Sequence, residues 1–165
     1  MATSPRLAAF EQRIHDVIPL TGAMAIELCD YDGQALLVSA PLAPNSNHQG
    51  TGFGGSVYSI AVVAAWGLVE LMTEDNGIAG HVVVQQGAMD YLKPAEDGLF
   101  ALCRLPEEAE VARFLKTVRR SGRGRLALTA RVYCGTPDLA PAQEPVAVFE
   151  GRFVVQLKPT GKAEA

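Results

Sequence analysis

The residues best placed to do chemistry are Gly54-Gly55-Ser56. They follow a polar, glycine-rich loop that begins at Asn45, and they open an almost wholly apolar run from Val57 to Met72. A helix starting here presents unpaired backbone N–H groups and the positive end of its dipole to whatever lies in front of it. Aimed at a reacting carbonyl, such donors hold a developing oxyanion, and one of them is typically worth about 2.7–4 kcal/mol of barrier. The competing role for Gly54 and Gly55 is steric, allowing a tight entry and close packing of helix on sheet. Ser56 reads as the N-cap.

Two familiar signatures are met in letter only. Gly50-Thr51-Gly52-Phe53-Gly54-Gly55 satisfies G-x-G-x-x-G, but a dinucleotide site needs that motif directly after a parallel strand, with an acidic residue closing the next one. Here Pro41 to Gln49 intervene. Gly54-Gly55-Ser56-Val57-Tyr58 is not a nucleophile elbow, because Tyr58 stands where the second glycine of G-x-S-x-G belongs.

A second feature is electrostatic. Arg113, Lys116, Arg119, Arg120, Arg123, Arg125 and Arg131 fall within Val111 to Pro137, a stretch without an acidic residue. On a chain of net charge −4 this is a local positive patch that suits phosphate groups. Its plainer reading is basic residues complementing a helix C-terminus and strand arginines facing solvent.

The 165 residues, 48% hydrophobic and 19% charged, suit a single domain spanning 1–165 with its core about 10–157. The acidic balance excludes a nucleic-acid binder acting through overall charge. The three cysteines, Cys29, Cys103 and Cys134, lack C-x-x-C spacing and point to a reducing, cytoplasmic setting. His15 and His81 lie apart from any metal-like set, so no metal is expected. The apolar run is interrupted by Tyr58 and Ser59 and closed by Glu70, Glu74 and Asp75. It reads as a helix buried in its own protein, not a membrane span.

The elements that must position these residues follow from periodicity. Ser4-Pro5 starts a helix with Leu7, Phe10, Ile14 and Val17 on one face. Met24, Ile26 and Leu28 alternate as a strand, Asp32-Gly33 turns the chain, and Leu36, Val38 and Ala40 return. The buried helix runs from about Ser56 to Thr73. Four strands follow: Gly80 to Tyr91, Leu99 to Leu105, Leu126 to Cys134, and one marked by Phe149 to Leu157. A short helix starting at Pro106-Glu107-Glu108 is inserted between the second and third. A proline-rich loop spans Thr136 to Pro145, and the tail from Pro159 to Ala165 is expected to fray. Strands without regular helical crossovers give an antiparallel sheet. Wrapped around one apolar helix, it makes an α+β hotdog fold.

Asn47, six residues on to Gly54-Gly55, and the long apolar helix resemble the N-x6-G-G arrangement of hotdog acyl-CoA thioesterases. Asp90-Tyr91-Leu92-Lys93-Pro94-Ala95 resembles the strand end with a basic residue and Pro-Ala in the same enzymes. Pro44-Asn45-Ser46-Asn47 with Gly50-Thr51-x-Phe53-Gly54-Gly55-Ser56 is more specific, and resembles the thioesterase family of the YiiD C-terminal domain type. The resemblance covers roughly Phe10 to Leu157.

It implies hydrolysis of acyl-CoA or a related thioester, with the oxyanion on the Gly55 or Ser56 N–H and Gly54 beside the substrate. No cofactor is implied beyond the coenzyme A of the substrate, whose phosphates Arg119, Arg120 and Arg123 would meet. Two departures stand out. Phe53 replaces the histidine that many relatives carry before the glycines, and Val62 and Val63 replace the helix carboxylate. Substitutes are Asn45 or Asn47 positioning a water, His48 as base, or Asp90 from a neighbouring strand. The missing carboxylate also leaves a non-catalytic acyl-CoA binding or sensing domain as the alternative. A single sheet of this kind leaves an apolar face and an open edge, so a homodimer or homotetramer is expected, with neither nucleic acid nor membrane as partner.

Overall fold

The computed structural model describes residues 4–135 and 144–158. Most of the expected proline-rich loop, and the whole tail from Pro159, lie outside them.

Helix α1 (Pro5–Val17) starts as its sequence dictates: the Ser4 hydroxyl accepts the Leu7 N–H at 3.2 Å, and Pro5 fills the first position. Leu7, Phe10 and Ile14 are buried, but Val17, expected on the same face, is exposed. A short helix α2 (Pro19–Ala23) follows, which periodicity does not announce. Strand β1 (Glu27–Tyr31) therefore begins later than the alternation suggests. Met24, Ile26 and Leu28 are all buried nonetheless. Between them Ala25 takes φ +51°, the one positive φ outside glycine among the described residues.

Asp32 Oδ1 accepts the N–H groups of Gln34 and Ala35 at 2.8 and 2.7 Å, and Gly33 supplies φ +86°, closing the hairpin to β2 (Ala35–Ala40). Helix α3 (Gly54–Asp75) comes next. It starts two residues earlier than expected: extended Phe53 is the N-cap, and Ser56 lies inside the first turn. Then come β3 (Gly80–Tyr91), β4 (Leu99–Arg104), α4 (Glu108–Ser121), β5 (Arg123–Cys134) and β6 (Ala147–Leu157). Helix α4 has Glu108 and Glu110 in its first turn, arginines in its last, and Gly122 at φ +72° just past its end.

The six strands form one antiparallel sheet in the order β1-β2-β4-β5-β6-β3. Helix α3 packs against β2, β3, β4, β5 and β6, with Ile60, Ala61, Ala64, Ala65, Leu68 and Leu71 fully buried. This is the hotdog arrangement. By length and composition α3 could cross a membrane, its most apolar window having mean hydropathy 1.6, yet 56% of that window is buried inside the protein.

Two details shape the end of the sheet that carries β3. Gly87 of β3 pairs with Gly151 of β6, and a Cβ on either would run into the Phe149 ring. A bulge interrupts β3 between Val84 and Gln86. Further back, the Trp66 indole donates to the Val82 carbonyl at 3.0 Å, tying this edge strand to the central helix.

Candidate active site

The loop before α3 is held by its own amides. Asn47 Oδ1 accepts the N–H groups of Gln49 at 2.8 Å and Thr51 at 3.2 Å, and its Nδ2 donates to Thr51 Oγ1 at 3.0 Å. The Gly50 N–H returns to the Asn47 carbonyl at 3.1 Å with φ +78°. Asn47 thus builds the turn, and its side-chain amide is engaged within it. His48, on the turn's tip, is exposed.

Asn45 departs from its expected water-positioning role. It is 1% exposed, and its Nδ2 donates to the carbonyls of Met24 and Pro41, both at 2.8 Å. Its backbone carbonyl accepts the Phe53 N–H at 2.7 Å. Asn45 is a buried latch that fixes where α3 begins. Its Oδ1 is buried without a partner among the described residues.

From the other side the Gly52 N–H donates to the Ala95 carbonyl at 2.7 Å, which joins the loop to the turn after β3. The Tyr91 hydroxyl donates to the Gly54 carbonyl at 2.8 Å. The first helical bond runs from the Val57 N–H to the Phe53 carbonyl at 3.0 Å. The N–H groups of Gly54, Gly55 and Ser56 therefore have no acceptor among the described residues. The exposed Phe53 ring lies against Gly55, in space that a side chain there would occupy.

In front of this end lies a cavity of about 430 Å³ lined by Gly54, Thr51, Tyr91, Lys93 and Pro94, among others. Lys93 gives it a positive charge. One turn further, an apolar groove of about 380 Å³ runs along α3 from Tyr58 past Val62 and Val63 to Trp66, walled by Met24, Ile26 and Val82 to Val84. Val62 and Val63, where the resemblance implies a carboxylate, thus face apolar space.

The nearest acid further along α3, Glu70, sits about 24 Å down the axis from Gly54, too far to serve there. Burial and the charge of Glu74 push its pKa up, against the opposing pull of Arg13 and Lys158. Asp90 does not supply the missing group either. It neighbours Tyr91, which points at α3, so the pleat turns Asp90 to the opposite face of the sheet, where it is exposed.

The expected phosphate cluster is also elsewhere. Arg119 Nη2 donates to the carbonyl of Asn76, at the C-terminal end of α3 and about 33 Å along the helix from Gly54. Arg120 and Arg123 follow it in sequence, so within one chain the cluster lies away from the free N–H groups. Among the described residues, no group of three or more His, Cys, Asp or Glu side chains gathers as a metal set would.

The family model described as "Putative thioesterase (yiiD_Cterm)" matches residues 7–157. The chain belongs to this family. A family-sized likeness extends to solved structures. One, a protein of unknown function from Chlorobaculum tepidum TLS, is 35% identical with TM-score 0.85, covering 92% of this chain and 94% of that one. A putative thioesterase from Shewanella oneidensis is 28% identical with TM-score 0.80, covering 91% and 96%. A thioesterase from Haemophilus influenzae, at 12% identity and TM-score 0.71 over 99% and 97%, shares the fold. Membership of the thioesterase family supports thioester hydrolysis as the general activity.

Three side chains at this site went unassigned from sequence. Tyr91 and Lys93 come from a strand end some forty residues away, and both are legible only as part of a motif. Tyr58 was legible only as the residue that spoils a nucleophile elbow.

Proposed function

We propose that this protein hydrolyses acyl-CoA or a related acyl thioester, with the thioester carbonyl at the N-terminus of α3. The observation that carries this is the set of unpaired N–H groups on Gly54, Gly55 and Ser56, beside a cavity with Lys93 and one turn from an apolar groove. Water adds to the carbonyl carbon, the oxyanion rests on the Gly55 or Ser56 N–H, and the C–S bond breaks to release acid and thiol. The apolar groove takes the acyl chain.

The protein acts as a homodimer or homotetramer. Strand β3 is a twelve-residue edge carrying exposed Val83 and Val84, and Leu20 beside it is exposed as well. A second copy covering this face would close the groove. It would also give Arg119, Arg120 and Arg123 a way to meet the coenzyme phosphates of a thioester held by its neighbour.

The test is free-thiol release from acyl-CoAs of graded chain length, with light scattering on the same sample. Turnover by an oligomer supports the reading; a monomer at micromolar concentration counts against the shared groove. The second reading is a non-catalytic acyl-CoA binder, favoured by Val62 and Val63 in place of a carboxylate. Saturable calorimetric binding without thiol release would establish it.

A further inference from the structure

We propose that the Tyr58 hydroxyl supplies the polar group that α3 lacks at Val62 and Val63, orienting the water that attacks the thioester carbonyl. This rests on the hydrolytic reading of the site and names a residue for it.

Tyr58 is on the correct part of the helix. It lies four residues after Gly54 and three after Gly55, so it shares their face of α3, one turn along. Helical side chains lean toward the N-terminus, which carries the phenol back toward the free N–H groups. It also lines the apolar groove. The residue thus stands one helical turn from the seat of the oxyanion and on the wall of the groove that takes the acyl chain.

The side chain is held in a way that leaves its hydroxyl free. The ring meets Phe149 edge-on, with centroids 5.3 Å apart and planes at 87°. The hydroxyl rests against Gly87, in the space a Cβ there would fill. The absence of a side chain at Gly87 is what admits it. No acceptor or donor is engaged by this hydroxyl among the described residues, whereas the neighbouring Tyr91 hydroxyl is committed to the Gly54 carbonyl. Tyr91 senses its neighbour: burial raises its pKa, and the proximity of Tyr58 raises it further.

A phenol both donates and accepts, so it can take a hydrogen bond from water and leave the water's lone pair facing carbon. The water oxygen forms the new C–O bond, the C–S bond breaks, and the water's proton goes to the departing thiolate or to solvent. Tyr58 gains and loses no proton overall. A phenol is a hydrogen-bonding group that donates and accepts without taking the water's proton, which suits an orienting role.

The test is Tyr58→Phe, which keeps the ring on Phe149, assayed for thiol release beside the wild type. The expected result is a ten- to hundredfold fall in kcat, with KM and Tm unchanged. Unchanged kcat in Tyr58→Phe overturns the proposal, as does a parallel loss of kcat and Tm. No thiol release by the wild type from any thioester would overturn the hydrolytic reading and this one with it. Turnover that survives Tyr58→Phe overturns the role of Tyr58 alone.

Discussion

The Tyr91 hydroxyl donates to the Gly54 carbonyl at 2.8 Å, joining the last residue of β3 to the first residue of α3 across 37 positions of sequence. One face of the cavity in front of the helix is thus attached to the helix itself. Tyr91→Phe should lower kcat/KM by about three- to tenfold by loosening that wall, with Tm little changed because the ring is largely exposed. The raised pKa adds a second check. The bond needs the protonated phenol, so its contribution is complete below the ordinary phenol pKa and is lost as pH rises through the higher folded value. Difference absorbance titration of wild type against Tyr91→Phe should therefore show a phenol ionising later than free tyrosine.

Asn47 is a candidate through its spacing from Gly54-Gly55 in the resemblance, and its amide is engaged in the turn. Asn47→Ala should lower kcat by about tenfold or more, through a loop that no longer presents the start of α3. Asn47→Asp keeps an acceptor for the Gln49 and Thr51 N–H groups and should recover most of that loss. Steady-state kinetics on both variants decides the matter. An inactive Asp variant with normal Tm would instead mean that the amide itself touches the reacting centre.

Val62→Asp puts a carboxylate at one of the two helix positions where the resemblance implies one, and Val62 already lines the groove. The expected outcome is a rise in kcat at neutral pH, alongside a stability loss of about 1–3 kcal/mol for placing a polar group in an apolar site. Val63→Asp is the paired comparison. Val63 is only 8% exposed, so the same change there should cost more stability and bring no gain. Thermal melts and thiol release on the two variants provide the check.

Glu70 carries a raised pKa because its carboxylate is half-buried and faces the charge of Glu74. A folded pKa above the unfolded one means the ionised group opposes folding at neutral pH, and that the opposition fades as pH falls through the folded value. Glu70→Gln should thus raise Tm at pH 7. The advantage should shrink below the usual carboxylate range, where both proteins are neutral at this position. Calorimetric melts from pH 4 to 8 measure it.

Much of the fold was legible because its signals are local or periodic. The apolar circumference of α3 demanded burial, Asp32-Gly33 demanded a turn, and the alternation of Leu126, Leu128, Ala130 and Val132 demanded a strand with one buried face. Helix α2 escaped because five residues containing a proline and a glycine carry no period. Ser56 reads as a cap by its type alone, whereas the tether from the Phe53 N–H to Asn45 sets the start of α3 two residues earlier. The site was legible only on its own segment. Gly54, Gly55 and Ser56 stood out, but which of Asn45, Asn47, Asp90 and Tyr91 faces them depends on burial and pleat. Neither is written in the spacing.

The bulge in β3 has a consequence for how the molecule avoids sticking to the wrong neighbour. An outermost strand of twelve residues is a long template for the unfolded or half-folded chains of a crowded solution. Here the Val82 carbonyl is already taken by Trp66, and the ladder steps out of register between Val84 and Gln86. An arriving straight segment therefore finds no uninterrupted row of partners and gains only a few backbone bonds before the register fails. The irregularity thus discourages fibrous growth along this edge.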